Sequence, residues 1–140
     1  MTTYGKPLPD PTFDTKPYWE ATKKHELHIQ KCSACGFLRF PPRPVCPKCQ
    51  SMQAEWTRLS GKGTVYSYSV IGHAVGKGFQ ADVPYINVVV EPVELKGQRI
   101  PSNLTGCKPE DVKIGMAVEV YFDDVTPEIT LPKFRPAGGR

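Results

Sequence analysis

The chain has 140 residues and a formal net charge of +4, from 18 Lys/Arg against 14 Asp/Glu, the size of one ordinary domain or two very small ones. Fifteen prolines and twelve glycines argue for short strands joined by turns and against a bundle of long helices. No run of about 18 apolar residues is present, which argues against a transmembrane helix and a membrane partner, and the polar start MTTYGKPLPDP lacks the pattern of a secretory signal, so the expected compartment is the cytoplasm.

Residues 1–13 read as an extended arm, because alternating prolines and polar residues leave little to bury. A short helix is expected next, capped by Asp14 or Thr15, with Pro17 in its first turn and helix formers from Tyr18 to about Lys24. Trp19 is its expected anchor, either docked on the rest of the chain or gripping another protein. His25 to Gln30, then Lys31, alternates as a strand does, with Leu27 and Ile29 on one face and His28 and Gln30 on the other. Residues 32–49 hold four cysteines, and residues 54–59 form a short strand containing Trp56.

From Gly61 the composition turns to β-branched and aromatic residues. GTVYSYSVIGH is a first strand, 74–83 a glycine-containing loop, and PYINVVVEPVEL a second strand interrupted at Pro92. A Lys96-Gly97 turn leads to a third strand, Arg99–Leu104; residues 108–112 form one helical turn. Met116–Phe122 is a fourth strand and Ile129–Phe134 a fifth, broken by Pro132. Five short strands with a helical turn between the third and fourth match a small barrel of the OB type, although a generic five-stranded barrel fits the periodicity nearly as well. The expected fold is therefore mainly β: a helix plus zinc ribbon over 14–60, an OB-fold barrel over 61–136 and a flexible tail over 137–140.

The most specific chemistry lies in Cys32-x2-Cys35-x10-Cys46-x2-Cys49. Each C-x2-C pair wraps a tight turn that aims two sulfurs at one ion, and two pairs complete a tetrathiolate. Gly36 and Pro47 suit the turns, and Lys31 and Lys48 lie beside a cluster of net charge −2 once zinc is bound. Four ligands leave no open position, so the expected ion is one structural Zn2+ per chain; rubredoxin-like iron uses the same thiolates. Between the pairs runs PheLeuArgPheProProArgProVal, expected as an exposed arm stiffened by prolines and carrying Arg39, Phe40 and Arg43. It is either a rigid cover for the metal or a docking surface. Residues 1–62 carry ten Lys/Arg and five Asp/Glu, while 63–140 carry eight and nine. The positive half fits an anionic partner or a merely solvated surface.

From PYWEATKKHELHIQKCSACGFLRFPPRPVCPKC through GTVYSYSV, VPYINVVVE and VKIGMAVEVYF, about residues 12–136, the chain resembles the small zinc-ribbon plus OB-fold proteins that associate with thiolase-like and other acyl-CoA enzymes. The resemblance implies a non-catalytic accessory subunit in a hetero-oligomer with a thiolase-like catalytic subunit, such as a benzoylsuccinyl-CoA thiolase or a steroid side-chain aldolase. It also implies that the ribbon lies near the partner's CoA channel. Arg39, Phe40 and Arg43 match the family's arm and are expected, with Trp19, to contact CoA or the partner. Cys107 matches nothing in that pattern.

No catalytic residues are expected. His25, His28 and His73 show no nucleophile–base arrangement, Cys107 reads as an inert, partly buried thiol, and Gly76-Lys77-Gly78 lacks the context of a phosphate loop. The alternative function is single-stranded nucleic-acid binding, with Tyr66, Tyr68, Phe79 and Tyr85 as stacking platforms. The slightly acidic barrel half argues against it. A free-standing acyl-CoA carrier is disfavoured because so small a barrel is filled by its own side chains.

Overall fold

A computed structural model describes residues 4–138. Helix α1 spans Lys16–Lys23. Thr15 is its N-cap residue, Pro17 lies in its first turn, and the Thr12 carbonyl accepts from the amides of Thr15 and Lys16 at 3.2 and 2.8 Å. Its buried anchor is Tyr18; the expected Trp19 is only half-buried and meets Tyr18 edge-on at 5.0 Å. Tyr18, Ala21 and Thr22 form the buried stripe at helical spacing, and Trp19 packs beside it against the core cluster.

Strands β1 (Leu27–Cys32), β2 (Leu38–Arg39) and β3 (Ala54–Leu59) form an antiparallel sheet in the order β2-β1-β3. Strand β1 starts two residues later than its alternation suggests. His25 has a φ of +59°, and its amide ends the helix by donating to the Thr22 carbonyl. Its ring stacks on Phe122 at 5.3 Å, and Nε2 lies 3.0 Å from Asp124, so His25 joins the helix–ribbon unit to the barrel.

The barrel consists of β4 (Lys62–Ile71), β5 (Tyr85–Pro92), β6 (Ile100–Leu104), β7 (Ala117–Asp124) and β8 (Thr130–Pro136), closed in the order β4-β5-β6-β8-β7 with one 3-10 turn at Pro109–Asp111. That order, with a single parallel contact between β6 and β8, is the OB-fold arrangement. Pro132 does not break the last strand. Its carbonyl accepts from Ser102 Oγ at 2.8 Å, so its missing N–H also faces β6, where the only backbone pair is Leu104–Phe134. Gly61, at φ +83°, is required where the chain enters the barrel, because a Cβ there would lie 2.3 Å from Val120 Cγ1.

Val65, Val88, Val90, Val118 and Phe134 fill the barrel and are at most 1% exposed. Tyr18, Leu27, Ile29 and Leu59 join the same apolar cluster, so the core runs across the junction near residue 60. The expected arm is tied down as well. Lys6 pairs with Asp82, which holds its ammonium above the usual lysine range, and lies 5.5 Å over the Phe79 ring. Residues 1–3 of that arm and 139–140 of the expected tail lie outside the described residues, while the Ala137 amide donates to Ala117 O at 3.0 Å. Among the described residues no helix is long and apolar enough to cross a membrane.

Candidate metal centre and its proline arm

Two turns of nearly identical construction bring the four cysteines together. In the first, the Cys32 carbonyl accepts from the Gly36 amide at 2.9 Å and the Cys32 amide donates to Phe37 O at 2.9 Å. In the second, the Cys46 carbonyl accepts from Gln50 and the Cys46 amide donates to Ser51 O, again at 2.9 Å each. Gly36 and Gln50 take the same position with φ of +78° and +65°. Glycine meets that demand at little cost and glutamine does not, which is why the second turn is harder to read from sequence than the first.

The Sγ atoms of Cys32 and Cys49 are 3.5 Å apart, those of Cys35 and Cys46 are 3.7 Å apart, and all four lie within 4.8 Å of one another. A tetrahedron with metal–sulfur bonds of about 2.3 Å has edges of about 3.8 Å, so the set fits one four-coordinate ion. Cys32 and Cys46 are fully buried, and Cys35 and Cys49 are exposed. The amides of Cys35 and then Ala34 hold the Cys32 thiol down at about 6. Burial opposes ionisation of Cys46, but the Cys49 and Lys48 amides outweigh it and its thiol is also held low. At Cys49 the Ser51 amide pulls down, yet the Cys32 sulfur, burial and the other two sulfurs push the thiol up to about 12. Backbone amides around the sulfurs favour negative charge and the crowding of sulfurs opposes it, a conflict that a bound dication removes.

The arm between the pairs differs from its expected form. Arg39 is not exposed: it is 2% accessible and sits at the inner end of the two-residue strand β2. Its Nε donates to Gln30 Oε1 at 2.7 Å, and its Nη2 donates to the Arg43 carbonyl at 3.1 Å. Gln30 Oε1 also accepts from the Arg43 amide at 2.7 Å. The buried Gln30–Arg39 pair therefore clamps both backbone polar groups of Arg43, whose side chain is exposed. Arg39 Nη1 is buried with no acceptor among the described residues. Phe40 is half-buried against Tyr18, with ring centroids 5.8 Å apart. Gln30, assigned in the sequence to the polar face of β1, is the residue that sequence reasoning missed. A buried polar residue in a strand gives no local signal when its partner lies across the sheet.

The remaining candidates are apart from this centre. His28 bonds Glu26 at 2.8 Å, and His73 lies in the bend after β4. Cys107 is half-buried beside Thr105 and Pro109 in a cleft of about 330 Å³, and burial first, then Asp111, pushes its thiol up. A raised thiol holds less thiolate at neutral pH and so reacts more slowly.

Residues 19–52 match the family described as ChsH2, rubredoxin-like zinc ribbon domain, and residues 56–123 match ChsH2, C-terminal OB-fold domain. The chain is 41% identical over 132 residues to a probable enoyl-CoA hydratase alpha subunit of Thermomonospora curvata, covering 94% of this chain but 40% of that protein. It is 46% identical over 93 residues to a DUF35 domain-containing scaffold protein of Methanocaldococcus jannaschii, covering 66% of this chain and 64% of the relative. The chain thus spans less than two thirds of the length of both relatives. Among solved structures it is similar to a chain of the Ltp2-ChsH2(DUF35) aldolase, with a TM-score of 0.85 and 40% identity over 93% of this chain and 99% of that one.

Proposed function

The chain belongs to the ChsH2 family, in which a rubredoxin-like zinc ribbon is joined to an OB-fold (the DUF35 proteins), and from that we propose that it is a non-catalytic accessory subunit of an acyl-CoA enzyme. The partner in this reading is a thiolase-like catalytic subunit that makes or breaks a carbon–carbon bond, and the working form is a cytoplasmic hetero-oligomer. The observation that carries it is the likeness, over nearly the whole chain, to a subunit of an aldolase complex.

Zn2+ is the proposed occupant of the cage, held by Cys32, Cys35, Cys46 and Cys49, one ion per chain. With four protein ligands it supplies no open position, so it stabilises the two turns and the arm between them. The arm then presents Arg43 on a clamped backbone to CoA or to the catalytic subunit, and Phe40 and Trp19, which both meet the Tyr18 ring, are offered to the same partner. Arg39 supports the arm from inside. Arg43→Ala is expected to weaken CoA binding in the complex with metal content unchanged, read by titration calorimetry on the purified complex; equal affinity counts against the arm.

The test is purification of the tagged chain from its native host. A near-stoichiometric thiolase-like protein is the expected companion, with about one zinc per chain by elemental analysis. Co-purifying nucleic acid instead would move the assignment to single-strand binding. Two features argue against that alternative: the face of Tyr66 is already covered by Arg99 at 3.7 Å, and residues 63–140 carry nine Asp/Glu against eight Lys/Arg.

A further inference from the structure

Strand β4 is longer than the barrel needs. It pairs with β5 from Gly63 to Ile71, but with β7 only at Lys62, Gly63 and Thr64. Val65 makes the last bonds on that side, its amide to Met116 O at 3.0 Å and its carbonyl from the Gly115 amide at 2.8 Å. Beyond it, among the described residues, no backbone bond reaches 66–71 from the side away from β5. Residues 66–70 are all exposed. Tyr68 and Val70 stand opposite the core residues Val88 and Ile86 in register, so they belong to the barrel-side face, yet they are 36% and 42% accessible. Ile114, next to the Gly115 that ends the pairing, is 64% accessible.

Proteins ordinarily blunt such an edge with a lysine, a proline or an inward charge. Segment 65–71, VYSYSVI, has none of these. Its one irregularity is a bulge between Val65 and Ser67, which lies at the start of the free edge and leaves the rest regular. Two basic residues adjoin the edge strand, and the exposed carboxylates of Glu110 and Asp111 come three and two residues before the second of them. Residues 65–81 contain no Asp or Glu. Arg99 stacks on Tyr66, and exposed Lys113 precedes Ile114; neither forms an ion pair among the described residues. A second copy laid on this edge would bring the same positive charges with it. An apolar strand flanked by carboxylates would meet complementary charge and pair its backbone with the open one.

We propose that the free edge of β4, residues 66–71, is a strand-addition site that takes an extended apolar segment with acidic flanks from another protein. Main-chain bonds supply the affinity, Tyr68, Val70 and Ile114 offer apolar contact, and Arg99 and Lys113 select for acid. Only the identity of the donor chain rests on the accessory-subunit reading; the edge itself can be tested without the catalytic subunit.

The test is hydrogen exchange of the 66–71 amides in the zinc-loaded full chain, alone and with millimolar peptide. One peptide is Glu-Val-Thr-Val-Thr-Val-Glu with blocked ends, and the other has both glutamates replaced by lysine. The acidic peptide is expected to slow these amides and to bind about tenfold tighter than the basic one, the swing that two exposed charge pairs produce. In the double variant Arg99→Glu, Lys113→Glu the preference should invert while the melting temperature stays near that of the parent. Absence of protection, or equal protection by both peptides, overturns the proposal. So does protection of 66–71 in the chain alone with a sedimenting dimer, which assigns the edge to a second copy, or protection by oligo-dT, which assigns it to nucleic acid. A native-host purification that yields no thiolase-like protein would remove the accessory-subunit reading and leave these peptide results standing.

Discussion

The cysteine end of the ribbon and the OB barrel stabilise themselves with different materials. The barrel buries apolar side chains: Val65, Val88, Val90, Val118 and Phe134 are at most 1% exposed. At the cysteine end the fully buried large side chains are Arg39, Cys32 and Cys46, and their contacts are to polar atoms or sulfur: Arg39 to Gln30 and the Arg43 carbonyl, Cys32 to Cys49, and Cys46 to Cys35. A short hairpin with a proline arm cannot enclose enough apolar surface to offset its ordering entropy, so four sulfurs and a clamped arginine take the place of a core. The two ends should therefore fail separately, to different insults.

The largest separation is expected from Cys46→Ser. Zinc binding contributes on the order of 10 kcal/mol to such modules, so the variant should lose the ion and the order of residues 32–53, while β5 amides stay slow to exchange. Elemental analysis with hydrogen exchange reads both, and a variant that keeps its zinc would break the tetrathiolate assignment. The reciprocal change is Phe134→Ala, which empties a site that is 1% exposed. It should cost about 3–5 kcal/mol and lower the denaturant midpoint with no zinc lost from the folded protein. Loss of zinc at the same rate would show that the ribbon depends on the barrel more than the contrast allows.

Gln30→Leu tests the polar clamp. It leaves Arg39 Nε and the Arg43 amide without their shared acceptor, at a cost of about 1–3 kcal/mol. The arm should become sensitive to trypsin at Arg43 with zinc retained; an unchanged cleavage rate would mean that the prolines alone hold the arm. The smallest expected effect is at the junction. The Thr130 hydroxyl, then His25, hold the Asp124 carboxyl below the usual carboxylate range. A lowered folded-state value means that this contribution is present above the unfolded value and is lost as pH falls through the folded one. Asp124→Asn should thus lower the melting temperature slightly at pH 7 and leave it unchanged at strongly acid pH. A loss that grows on acidification would reverse the sign and refute the linkage.

Local information made much of this legible. The C-x2-C pairs set the cage because each pair closes within one turn, and the five barrel strands showed because alternation is a nearest-neighbour signal. His25 was misassigned to a strand because alternation does not reveal a residue in the left-handed region that caps a helix. Pro132 was read as a break because only the neighbour on its N–H side shows that no bond is lost there.

The sequence by itself determined that four cysteines are spaced to converge on one point, that residues 61–136 form a small β-barrel, and which family the chain resembles. Only the tertiary structure decided which arm residues face solvent. It buried Arg39 and left Arg43 outside, although both stand in the same proline-rich run. It also left the far half of β4 paired on one side only. Both outcomes depend on which strand lies alongside, a contact between residues far apart in the chain, and no local pattern of residue types carries that information.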